Sequence, residues 1–137
     1  MSLLLILRPA FAGATTAVAS SDITTTGWTP SAGAVLFDMI DEAVASDADW
    51  ISSPDLGASP GPAVFRLSGS IAAGAVDVMV RARRVSSVGQ IRVLLQNNAG
   101  TTIGTSAWQS LTDTFATYTL SVTTTGITDR ARIEVQT

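Results

Sequence analysis

The 137-residue chain contains no cysteine, no histidine and no lysine. Without thiols there are no disulfides, thiolate zinc sites or cysteine nucleophiles, and without imidazole there is no serine–histidine relay. Most routes to enzyme chemistry close with those absences, and no cofactor is expected. Charge is scarce too: Asp, Glu and Arg together make up 14% of the residues, and the net charge is −3. A chain of that balance has no broad basic face for a phosphate backbone, so nucleic acid is not an expected partner. No apolar run approaches the length of a membrane span, so no membrane is expected either.

What is present is apolar and β-like. Hydrophobic residues make up 46% of the chain, enough to give one domain a core without covalent staples. Serine and threonine dominate the polar residues, as on pleated surfaces where branched side chains pack well. All eight basic residues are arginine. Codon usage in a GC-rich genome accounts for that bias; so does interface pairing, because a guanidinium is a planar fork.

The chain reads in three parts. Leu3, Leu4, Leu5, Ile6 and Leu7 form a short greasy run that resembles a signal peptide, but no basic residue precedes it and Arg8-Pro9 interrupts it. Residues 1–12 are therefore expected to be an N-terminal arm or edge strand, available for docking. Residues 13–137 are expected to be a single domain whose first third, 13–62, is rich in Gly and Pro turns. One or two helical turns are expected within Val35–Ala45, where Leu36, Ile40 and Val44 share a helical face.

From residue 63 the period becomes two. Val76, Val78, Val80 and Ala82 alternate with Asp77, Met79, Arg81 and Arg83; Ile91, Val93 and Leu95 alternate with Arg92, Leu94 and Gln96. Tyr118, Leu120 and Val122, and then Ala131, Ile133 and Val135, repeat the pattern. Strands are expected over 63–69, 76–85, 91–97, 117–122 and 131–136, with a short one over 101–110 bent at Gly104. Ser86–Gln90 is expected to close a hairpin between the second and third, and Asn97-Asn98-Ala99-Gly100 to turn the next. About eight such strands indicate an all-β antiparallel sandwich of jelly-roll type.

Several groups are candidates for function. Asp38, Asp41, Glu42, Asp47, Asp49 and Asp55 gather six of eleven acids into a stretch without arginine. Such oxygen density suits calcium, but EF-hand spacing is absent, so a solvated or arginine-paired loop is favoured. The pairs Asp38/Asp41 and Asp47/Asp49 offer the two carboxylates of a glycosidase, a reading weakened by how common acidic loops are. Arg66, Arg81, Arg83, Arg84 and Arg92 suggest a basic sheet that closes on the acidic loops or joins other subunits. Met79 and Leu94 fall on the solvent side of their alternations, which marks them with Arg81, Arg83 and Arg92 as interface candidates. Trp28 and Trp50 are expected to plug the sandwich, whereas Trp108 is the candidate for stacking on a sugar.

The runs Gly27-Trp28-Thr29-Pro30, Leu36-Phe37-Asp38-Met39-Ile40-Asp41-Glu42 and Asp47-Ala48-Asp49-Trp50-Ile51-Ser52-Ser53, followed by alternating strands such as Val78–Arg83 and Tyr118–Leu120, resemble small jelly-roll virion proteins of tailed bacteriophages. The likeness spans residues 27–135. It implies a structural role without catalytic residues: capsid decoration or cement, head fibre, or tail attachment. The absence of a stalk or coiled-coil repeat favours a cement protein on the capsid surface, homotrimeric and bound to the major capsid protein, with the N-terminal arm as its docking device. The alternatives are a glycan-binding tail or head-fibre module for host adsorption, and a secreted adhesin.

Overall fold

The computed structural model describes residues 4–9, 16–40, 47–53, 61–85 and 89–136, the first of these as a backbone path. Eleven strands appear among them: β1 (Leu4–Pro9), β2 (Ala17–Thr24), β3 (Thr29–Pro30), β4 (Ile51–Ser52), β5 (Ala63–Ile71), β6 (Gly74–Ala82), β7 (Gln90–Gln96), β8 (Thr102–Thr105), β9 (Gln109–Ser110), β10 (Ala116–Thr124) and β11 (Thr128–Gln136). All pairings are antiparallel. The main path runs β10-β6-β1-β2-β5-β11-β7-β8, with β9 also on β7 and a separate β3–β4 pair. The fold is an all-β antiparallel sandwich. Strands β10, β6 and β1 form the first sheet and β5, β11, β7 and β8 the second, while β2 pairs with both β1 and β5 and joins them.

Two sharp arches generate the layers. Strands β5 and β6 follow each other closely but do not pair, and neither do β10 and β11. Instead β5 pairs with β11 and β6 with β10, so each arch crosses from one sheet to the other and the two arches lie side by side. Alternation then supplies the core. Val76, Val78, Val80, Leu120 and Val122 from the first sheet meet Phe65, Leu67, Ile91, Val93, Leu95, Ala131 and Ile133 from the second, all buried. Phe65 has no exposed surface and is among the largest of these side chains.

Opposite β2, the sandwich closes where β8 meets β10. Thr125 N–H donates to the Ile103 carbonyl at 3.1 Å. A Cβ on Gly104 would lie 2.7 Å from both the Thr123 carbonyl oxygen and Val122 Cγ1, so only glycine permits this approach. Gly104 lies within β8, paired with Leu95, rather than at a bend, and the single strand expected over 101–110 is two pieces, β8 and β9, both on β7.

Several expectations require correction. No hairpin joins β6 to β7, which lie in opposite sheets; residues 86–88 are outside the described set. The N-terminal run is not an edge strand: β1 pairs with β6 from Leu4↔Arg81 to Pro9↔Val76, and with β2 at Ile6↔Val18 and Leu7↔Ala17. Its two hydrogen-bonding edges are thus engaged within the chain, while Leu3 lies outside the described residues. The loop-rich reading of 13–62 missed β2, whose buried positions are Ala17 and Ala19. Alanine carries a weak β signal, and its burial depends on what the sheet places above it. Of Val35–Ala45, Phe37–Met39 forms a 3-10 turn and 41–46 lie outside the described residues.

Beyond β2, the described residues of 25–53 cap the sandwich through point anchors. Asp22 on β2 accepts the Leu36 and Phe37 N–H groups at 2.9 and 2.8 Å, one on each carboxylate oxygen. Trp28 is buried, its Nε1 donating to the Gly61 carbonyl at 2.9 Å. Ser31 Oγ accepts the Trp50 N–H at 3.0 Å. Leu36, Ile40 and Ile51 complete the anchorage in the core.

Candidate functional site

Side chains of register partners share a face of a sheet, so the ladders locate the outward groups. On the second sheet, β7 directs Arg92 and Leu94 outward beside Glu134 and Arg132 of β11, through the partners Arg92↔Glu134 and Leu94↔Arg132. Arg92 Nη2 lies 2.6 Å from Glu134 Oε2, and Arg132 Nη2 lies 2.7 Å from Glu134 Oε1, so one carboxylate holds two guanidiniums. Trp108, between β8 and β9, lies under Arg92 with the guanidinium carbon 4.5 Å from the indole centroid. Leu94 is half-buried between Thr105 and Arg132.

Burial pushes the Glu134 carboxyl upward, but the hydrogen bonds and charges of Arg92 and Arg132 outweigh it and hold the group below its ordinary value. It is therefore ionised at neutral pH. The cluster carries two positive charges against one negative, on paired strands, with an aromatic platform beneath Arg92. That combination fixes charged and aromatic groups in place on the outer face of the sheet.

The first sheet carries a different cluster. Arg81 grips Asp47 through two hydrogen bonds of 2.6 Å. Hydrogen bonding to Arg81 holds the Asp47 carboxyl below its usual range, despite some desolvation. The guanidinium carbons of Arg81 and Arg83 lie 5.8 and 4.8 Å from the Phe115 ring centroid, and Arg84 pairs with Asp113 at 2.5 Å. Met79 is half-buried as the register partner of Ile6 and Thr119.

The basic sheet expected from sequence is therefore divided between opposite faces: Met79, Arg81 and Arg83 on the first sheet, Leu94, Arg92 and Trp108 on the second. Arg81 with Asp47 is one place where the acidic stretch closes on a strand of the same chain. Asp38 is exposed, Asp41, Glu42 and Asp55 lie outside the described residues, and no group of three or more acidic residues there is placed to hold a metal ion. Among the described residues no helix is long and apolar enough to cross a membrane.

Arg132 and Glu134 were legible as outward positions of β11 but not as members of a site. Their neighbour Arg92 lies about forty positions earlier, and only the β7–β11 register joins them. Compared with known proteins, the chain matches no family model, no curated sequence and no solved structure.

Proposed function

We propose that the chain is a structural subunit of a tailed-bacteriophage virion, a decoration or cement protein that sits on the outer shell as a trimer, binds the major capsid protein and stabilises the particle through protein contacts. The carrying observation is the Arg92–Trp108 stack, tied by Glu134 to Arg132 and flanked by Leu94. Tryptophan and arginine dominate the energetic centres of protein interfaces, and here both are held in place before any partner arrives. The same stack disfavours the glycan-binding alternative, because the guanidinium occupies one face of the indole on which a sugar would lie. A jelly-roll connectivity is part of this reading, supported by the paired arches β5–β6 and β10–β11. Docking is assigned to the outer face of the second sheet, since β1 is engaged on both edges.

Shell binding stabilises by mass action, so it is measurable as sedimentation with particles. The test mixes purified protein with heads of the encoding phage that lack it. Wild type is expected to sediment with the heads, and Trp108→Ala to weaken that binding at least tenfold, as an interface centre requires. Wild-type protein left in the supernatant, or retained on a glycan array instead, overturns the proposal.

A further inference from the structure

Arg66 and Arg130 are direct register partners across β5 and β11. Like charges placed opposite each other destabilise a ladder, and in a chain with eight basic residues such a pairing is conspicuous. Both guanidiniums reach one residue of the β7–β8 turn: Arg66 Nη1 donates to Asn98 Oδ1 at 2.9 Å, and Arg130 Nη2 donates to the Asn98 carbonyl. The turn is itself rigid. Asn97 Oδ1 accepts the Ala99 and Thr101 N–H groups, each at 3.0 Å, and Gly100 adopts φ +86°. A Cβ on Gly100 would lie 3.3 Å from Arg130 Nη1, so the turn rests against that guanidinium.

Neither cation has a carboxylate partner among the described residues. Asp129, adjacent to Arg130 in sequence, accepts from Ser70 Oγ at 2.5 Å. Arg130 Nε is buried and donates to no acceptor, a costly state for a charged group. Neutral oxygens thus hold two positive groups side by side without cancelling their charge, which is how an oxyanion is received.

We infer that Arg66 and Arg130, braced by Asn98, form an oxyanion site that takes a carboxylate side chain of a partner protein. The pair of forked donors suits a planar carboxylate. The net charge of −3 opposes approach of a polyphosphate chain more strongly than that of a carboxylate on a protein surface. The choice of a protein carboxylate rests on the proposed docking role, whereas the anion site itself does not.

The test is calorimetric titration of the purified protein with a tetraglutamate peptide and, separately, with sodium phosphate at matched ionic strength. Saturable peptide binding is expected, weakened about tenfold by Arg66→Gln through loss of one charge-assisted bond. Arg83→Gln, which removes the same charge from the other sheet, should leave it unchanged, and Asn98→Ala, which keeps both charges, should weaken it less than Arg66→Gln. Equal weakening by Arg66→Gln and Arg83→Gln, or absence of saturation, overturns the site. Tighter binding of phosphate than of peptide overturns the carboxylate assignment. The titration contains no particles, so its failure leaves the sedimentation result standing, and the converse also holds.

Discussion

Residues 63–136 and the described part of 25–53 share one core yet are held by different means. The later region is dominated by the long ladders of β5, β6, β7, β10 and β11, along most of which alternate side chains are buried, and its stability is spread over many contacts. The earlier region contributes a few large anchors, Trp28, Leu36, Ile40 and Ile51, and ties its turns down with single side-chain hydrogen bonds. The difference shows how a loop-rich segment becomes ordered without periodicity: its apolar residues need a finished sandwich to land on, and its backbone donors need named acceptors.

Three substitutions bear on that contrast, taken from the largest effect downward. Phe65→Ala removes a fully buried ring from the shared core and is expected to cost about 4 kcal/mol, read as a lower denaturant midpoint at unchanged slope. Both regions should unfold in that one transition; a separate, earlier transition of the first region would break the idea of a common core. Asp22→Ala leaves the Leu36 and Phe37 N–H groups without their acceptor and is expected to cost about 2 kcal/mol. Hydrogen exchange should accelerate at those two amides and not in β6, β7, β10 or β11, and uniform acceleration would contradict the point-anchor account.

The smallest effect is expected from Glu134→Gln, at about 1 kcal/mol near neutral pH. Because Glu134 is held below its ordinary value when folded, its contribution is complete above the range where it titrates in the unfolded chain. That contribution disappears as pH falls through the folded value. The gap in thermal midpoint between wild type and variant should therefore close in acid; a gap independent of pH would sever the cluster's stability from its charge.

Legibility in sequence followed size and locality. Apart from β8 and β9, the strands from 63 onward were readable because Val, Ile and Leu recur at alternate positions, and their observed bounds differ by only a few residues. Strand β2 was not, because its buried positions are alanines and its last residues turn outward toward the cap. The site was half readable: Leu94 and Arg92 follow from alternation, whereas Trp108, Glu134 and Arg132 join them only through pairing with distant strands. The N-terminal run was recognisable as strand-like, but its place between β6 and β2 depends on partners about seventy residues away as well as on nearby ones.

Alternation is a property of neighbouring residues, so by itself it decided that the chain is all-β and which side chains of each late strand face inward. Which strand lies beside which is decided by the closing of long loops and by shape-matching of two apolar faces, neither of which is local. Tertiary structure therefore chose the side-by-side arches, placed β1 in the interior of the sheet, divided the arginines between two faces, and brought Arg66 against Arg130.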